Sequence, residues 1–464
     1  MSLWTADELA AATGGQANRD FAATGVAIDS RTVAPGDLFV ALRGPNHDAH
    51  RFVPDALAKG AAAALVDHAP DGLSPGAPLL KVGDTLEALT AIGDAARRRS
   101  RARIIGVTGS VGKTGTKEAL RLALADQGVT HASASSFNNH WGVPLSLARM
   151  PRDAVFAVFE LGMNHPGELD VLGRLVRPHI AIITTVEAAH LGYFASVEAI
   201  ADAKAEIFAG VEPGGSAILN RDNPHFARLE RAAHARSIER IIGFGAAEAA
   251  EARLLDCRIE ASGSAVQASI LGETVGYSLP VAGRHWVMNS LAVLAAVKAL
   301  GADLETAAAA LARMPGLPGR GLRRSLAWKG GSIELIDESY NANPASMRAA
   351  IAVLGATSPG PGGRRIAVLG EMRELGSEAS RLHAELAAPL AASGIDLVFT
   401  VGEEMAHLQA ALPPAMRGGH VARSSEMPAL IDAVLRPGDV ISVKGSLSIG
   451  MAVVVKHLLA AAEG

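Results

Sequence analysis

Residues 104–124, IIGVTGSVGKTGTKEALRLAL, constrain this chain more than any other stretch. The β-branched run at 104–107 reads as a buried strand. From Lys113 onward, apolar residues recur at Ala119, Leu120, Ala123 and Leu124, a helical period. Between the two lies Thr108-Gly109-Ser110-Val111-Gly112-Lys113-Thr114. A loop at such a junction points backbone N–H groups at an anion, and the helix N-terminus adds favourable partial charge. Lys113 is placed to reach the outer phosphates of a nucleotide, and the Thr114 hydroxyl to bind magnesium. The general pattern asks for a glycine where Val107 stands, and Gly109 lies closer in. The loop therefore reads as an ATP site, or else as a structural glycine turn.

A chain of 464 residues suggests two to four domains. With 49% hydrophobic and 19% charged residues it is expected to fold as a globular protein. A net charge of −4 and the lack of a basic stripe with interleaved aromatics argue against nucleic-acid binding. The basic run at 97–103 reads as a solvated helix end. Cys257 is the single cysteine, which excludes a disulfide framework or a cysteine-based metal site and suits a reducing compartment. The first residues, MSLWTADELAAATGG, lack the pattern of a secretory signal, and no stretch of ~20 strongly apolar residues occurs. A cytoplasmic protein without a membrane span is expected.

The pattern divides the chain into three α/β units. In the first, 1–82, strands are expected at 38–42 and at the end of 61–66, with a helix at 53–59. The second, 83–319, alternates strands at 104–107, 155–159, 180–184 and 217–220 with helices at 114–126, 167–176 and 196–209. Such alternation implies a parallel sheet that binds ligands at the carboxyl ends of its strands. The run MPGLPG at 314–319 reads as a domain hinge. The third unit, 320–464, repeats the alternation, with strands at 333–336, 366–369, 397–401 and 440–443 and helices at 347–354 and 381–390.

Magnesium beside the loop needs oxygen ligands from neighbouring strand ends. Glu160 ends the strand AVFAVFE, and His190 follows the next strand; each is a candidate ligand or an ordinary loop side chain. Lys204 is either a solvated helix lysine or, beside magnesium, a modified and anionic group. Asn289 is suited to an adenine edge and equally to a helix start. Arg320, Asp337 and Tyr340, beyond the hinge, are candidates for nucleotide contacts once the domains close.

Together, DSRTVAPGDLFVALRG, TGSVGKT, NNHWGVPLSL, ELGMNHPGE, DESYNANPASM, GEMRELG and VKGSLS resemble the Mur ligases of peptidoglycan synthesis over essentially the whole chain. The last three stretches are similar to the branch that adds D-alanyl-D-alanine to a UDP-N-acetylmuramoyl-tripeptide. The resemblance implies three domains: a UDP-binding α/β domain, a central P-loop ATPase-like domain with a parallel sheet, and a Rossmann-like C-terminal domain. It implies ATP and Mg²⁺, an acyl-phosphate intermediate, and a monomer. It also implies Lys113, Glu160, His190 and Lys204 as catalytic, the last carbamylated; Thr114, Glu160, His190 and Lys204 around the metal; and Asn289, Arg320, Asp337 and Tyr340 at ATP. Ser30 and Arg31 would hold the uridine diphosphate, and Asn138 would face the muramoyl peptide. This chain departs from relatives at Trp286, where Asn is common, and at Leu447, where some have Arg. The Asp-Asn-Pro-Arg run of the branch that adds the third amino acid is missing. Two other readings are a folylpolyglutamate synthase-like ligase and a nucleotide-driven switch ATPase. YNANP and VKGS give such a switch no use.

Overall fold

A computed structural model describes residues 2–44, 47–134, 137–188, 191–260 and 263–463. The sheet of the first unit has five strands in the order Gln16–Ala17, Leu79–Lys81, Ala63–Val66, Asp37–Val40 and Gly25–Ala27, parallel except for the first. The helix Thr85–Arg99 starts where the Asp84 carboxylate accepts the Leu86 and Glu87 N–H groups. Its apolar side, Ala88, Leu89, Ile92 and Ala96, packs against Leu38, Leu65 and Leu80, and Leu145 and Ala148 join the same core. A helix that follows the first unit in sequence is thus shared with it in space.

The basic end of that helix is not simply solvated, contrary to expectation. Arg97 is buried and donates to the carbonyls of Val176 and Arg177 and to Glu212. Arg99 lies 3.6 Å over the Trp4 ring. Long side chains can cover apolar surface while their heads cap carbonyls, and composition alone does not reveal it.

The central sheet has nine strands. The strand Arg103–Thr108 runs parallel between Phe156–Glu160 and Ile180–Ile183, so the loop after it opens between two strand ends. The parallel series continues through Ser216–Asn220 and Arg240–Gly245 to Ala252–Glu260. Gly263–Ile270 and Glu273–Leu279 then add antiparallel strands, which the purely parallel expectation omits. Their alternating buried and exposed residues mark an edge covered on one face, where the parallel strands are buried on both. The covering helix, Arg284–Ala299, packs Val287, Leu291 and Leu294 against them.

In the third sheet the order is Leu322–Trp328, Gly331–Glu338, Val440–Lys444, Arg365–Gly370, Leu397–Val401 and Arg417–Val421, the first antiparallel and the rest parallel. The strand Leu322–Trp328 has no counterpart in the sequence reading. The expected helix at 381–390 is two short ones, Ala379–Ala384 and Ala387–Ala392. Pro389 has no N–H for the Glu385 carbonyl, which interrupts the ladder there. The helices Pro344–Ala356 and Met405–Ala411 bury one face, and Met427–Val434 and Ala452–Glu463 the other. The expected hinge is tied to this sheet, since Gly319 N–H donates to Asp337 at 2.9 Å and the Gly319 carbonyl accepts from Tyr340 N–H. Gly192 of the central unit donates to the Glu374 carbonyl at 2.8 Å, so the third unit already rests on the central one.

Candidate active site

The glycine-rich loop is shaped by two residues whose backbone suits only glycine. Gly109 has φ +147° and Gly112 φ +92°. A Cβ on Gly109 would stand 1.9 Å from the Thr184 hydroxyl, so the loop passes hard against the neighbouring strand end. That hydroxyl donates to the Val111 carbonyl at 2.6 Å. Ser110 N–H donates to the Thr185 carbonyl, and its hydroxyl accepts from Glu187 N–H at 3.0 Å. The loop is preorganised by residues that follow the Ile180–Ile183 strand. It opens directly into the helix Lys113–Ala125, whose N-terminus no side chain caps. Uncapped first-turn N–H groups and a left-handed glycine fit a phosphate.

Lys113 Nζ donates to the Gly109 carbonyl at 2.7 Å and so closes over the loop. Burial holds its pKa below the usual lysine range; Glu160 opposes that shift and Arg320 adds to it. Thr114 donates to Glu160 Oε2 at 2.8 Å, and Asn138 Nδ2 donates to Oε1 at 2.9 Å. Glu160 is 4% exposed, and its N–H donates to the Ser133 hydroxyl. A hydroxyl and a carboxylate oxygen side by side, at the foot of a phosphate loop, are the hard donors that Mg²⁺ takes. Lys204 is 2% exposed on the helix Val197–Ala205. Burial first, and then the charge of Lys113, drive its pKa well below that of an ordinary lysine. His190 lies outside the described residues.

Three domain profiles match in order along this chain: Mur ligase family, catalytic domain, over residues 22–97; Mur ligase middle domain over 107–297; and Mur ligase, glutamate ligase domain, over 323–447. A UDP-N-acetylmuramoyl-tripeptide–D-alanyl-D-alanine ligase of Rickettsia prowazekii is 32% identical over 98% of this chain and 99% of its own. The chain belongs to the Mur ligase family. A crystal structure of MurF from Acinetobacter baumannii superposes with a TM-score of 0.85 at 30% identity, covering 98% of this chain and 99% of that one. MurF ligase from Thermotoga maritima in complex with ADP shares the fold, with a TM-score of 0.78 at 24% identity over 95% and 98% of the two chains.

In this Mur ligase the remaining expected residues fall on all three units, and only some of them adjoin the loop. Thr108 is fully buried below it, with its hydroxyl without a partner among the described residues. Asn289 is not a helix start: Gly283 caps that helix, and Asn289 lies inside it. Its amide presses on the phosphate loop, where a Cβ on Gly112 would meet Nδ2 at 2.6 Å. Arg320 stacks over the Tyr340 ring at 4.1 Å. Asp337 accepts from the Gly319 N–H at the expected hinge and from the Ser339 N–H and hydroxyl of its own unit. Ser30 and Arg31 follow the Gly25–Ala27 strand, at a carboxyl end of the first sheet. There Arg31 forks onto Asp29 and holds that carboxyl at about 2.

Sequence reasoning missed Thr184, Ser133 and Glu187, and the bond from Asn138 to Glu160. All are non-local, and only Asn138 had a motif to mark it. The departure at Trp286 also acquires a reason. The buried indole fills the space above Gly115, where a Cβ would meet Cζ3 at 2.5 Å and Cη2 at 2.7 Å. Gly115→Ala is therefore expected to cost ~1–3 kcal/mol of stability by overpacking. Urea unfolding checks this, and adding Trp286→Leu should restore part of the loss. An additive double variant would mean that the two do not touch in solution.

Proposed function

We propose that this Mur ligase joins D-alanyl-D-alanine to a UDP-N-acetylmuramoyl-tripeptide with hydrolysis of ATP, by way of an acyl phosphate. The similarity over nearly the full length of relatives so named carries the reading. The uncapped loop helix beside the Thr114–Glu160 pair supports it. A carboxylate is a poor electrophile, and phosphoryl transfer makes it one. The dipeptide amine then attacks the carbonyl, and phosphate leaves from the tetrahedral intermediate. The chain's own part is to place charge and exclude water. Lys113 neutralises the migrating phosphoryl group, and the loop N–H groups hold the phosphates behind it. Mg²⁺, for which Thr114, Glu160, His190 and a carbamylated Lys204 are the proposed residues, would supply further charge neutralisation. Asn138 keeps Glu160 turned towards Thr114 and borders the side where the muramoyl peptide would lie.

In this reading Ser30 and Arg31 hold the uridine diphosphate. Asn289, Arg320, Asp337 and Tyr340 close around ATP from the central and third units. The working domains are 1–82, 83–319 and 320–464, in a cytoplasmic monomer. Among the described residues no helix is long and apolar enough to cross a membrane. Phosphate release tests the reaction. It is expected to require both the UDP-tripeptide and D-alanyl-D-alanine, whereas a switch ATPase would release phosphate with neither.

A further inference from the structure

Helices that follow Gly331–Glu338 and Arg365–Gly370 lie on one face of the third sheet, and the helix after Val440–Lys444 lies on the other. The strand Val440–Lys444 sits between those two, so crevices open on both sides of its carboxyl end, the usual ligand position in such sheets. One crevice is walled by residues that no step above uses. Ser446 N–H donates to the Glu371 carbonyl at 3.0 Å, and Arg373 N–H to the Ser446 hydroxyl at 2.9 Å. Glu371 is buried, and its Oε1 accepts from Glu404 N–H at 2.9 Å. Its Oε2 has no hydrogen-bond partner among the described residues, although Arg373 Nη2 stands 3.0 Å away, out of line for a bond. The Arg373 side chain is 55% exposed, and Leu447 at the rim is 62% exposed. The crevice thus offers a guanidinium braced from behind by a buried carboxylate, with an apolar side chain beside it.

We propose that Arg373 binds the carboxylate of the incoming dipeptide, with Glu371 as the residue that positions its guanidinium and Leu447 as the apolar rim beside it. The proposal rests on the ligase reading above, in which the third unit receives the amino substrate. Other cations at this edge are already committed. Lys444 is buried, with its ammonium given to Glu338 at 3.3 Å and to the Asn341 carbonyl at 2.9 Å. Arg320 stacks on Tyr340. A planar guanidinium matches a carboxylate with two parallel N–H donors, which a lysine cannot do. The segment that carries Arg373 meets the central unit at Gly192, through the Glu374 carbonyl. A dipeptide held by its carboxylate keeps its amine free for attack.

The test compares D-alanyl-D-alanine with D-alanyl-D-alaninamide, which lacks the charge, as nucleophiles for the wild type, Arg373→Ala, Arg373→Lys and Glu371→Gln. Arg373→Ala is expected to raise KM for the dipeptide about 10- to 100-fold, the loss of a charge-assisted contact, and to leave KM for ATP and UDP-tripeptide unchanged. The wild type should prefer the free carboxylate over the amide, and Arg373→Ala should erase that preference. Arg373→Lys and Glu371→Gln should weaken it. The preference is a ratio within one preparation, so partial unfolding cancels. An unchanged dipeptide KM, or an intact preference in Arg373→Ala, overturns the proposal. A wild type that ligates neither nucleophile overturns the ligase reading, and the proposal falls with it.

Discussion

Lys113→Ala is expected to abolish ligation, with kcat down by at least about 10²–10³-fold, while affinity for the UDP substrate stays close to wild type. The Lys113 ammonium closes over the phosphate loop through a bond to the Gly109 carbonyl. Burial, and to a smaller extent Arg320, disfavours its charged form against the opposing pull of Glu160, and the negative charge of a bound phosphate would favour it again. The expected uridine contacts, Ser30 and Arg31, belong to a different sheet. Calorimetry separates the two effects. Equal loss of UDP-substrate affinity would show that the loop and the first unit do not divide the work in this way.

Lys204→Ala is expected to have the next largest effect. A buried lysine beside Lys113 faces desolvation and like-charge repulsion together, and both favour the neutral amine. A neutral amine adds to carbon dioxide, forming the N–C bond of a carbamate and releasing one proton. The product is an anion, so its interaction with Lys113 changes from repulsion to attraction. At ~4 Å and an effective dielectric near 20, such a pair interaction is of order 4 kcal/mol. The wild type supplied with ¹³C-bicarbonate should show a carbamate resonance that Lys204→Ala lacks. Activity of the variant should fall steeply and recover in part with short-chain carboxylates, where the vacated space admits them. Wild-type activity in the unsupplemented variant, or no difference between the two spectra, would end this account.

Features that were legible in the sequence are local. The strand, loop and helix around Lys113 announce themselves within some twenty residues, because β-branched runs, glycines and helical periodicity act over short range. The strands at 180–183, 216–220, 397–401 and 440–444 were legible for a related reason. Buried on both faces, they are continuous apolar runs. The antiparallel strands Gly263–Ile270 and Glu273–Leu279 alternate instead, and only their packing under Arg284–Ala299 makes that alternation a core. Pro389 splits a helix whose apolar pattern runs on past it.

The site divides along the same line. Chain chemistry alone suggested a phosphate loop with Lys113 for the outer phosphates and Thr114 for magnesium, since a helix N-terminus carries its own field. It marked Glu160 as a candidate magnesium ligand at a strand end, or else as an ordinary loop side chain. Tertiary structure decided that Thr114 and Asn138 both donate to that carboxylate, and that Thr184 shapes the loop around Gly109. It also decided that Trp286 needs Gly115, and that Lys204 is buried beside Lys113 rather than solvated. Backbone propensity and hydrophobic period are properties of neighbours in sequence. Desolvation, like-charge proximity and a missing Cβ depend on which distant residue fills the adjacent space, and that is settled only when the sheets and helices pack.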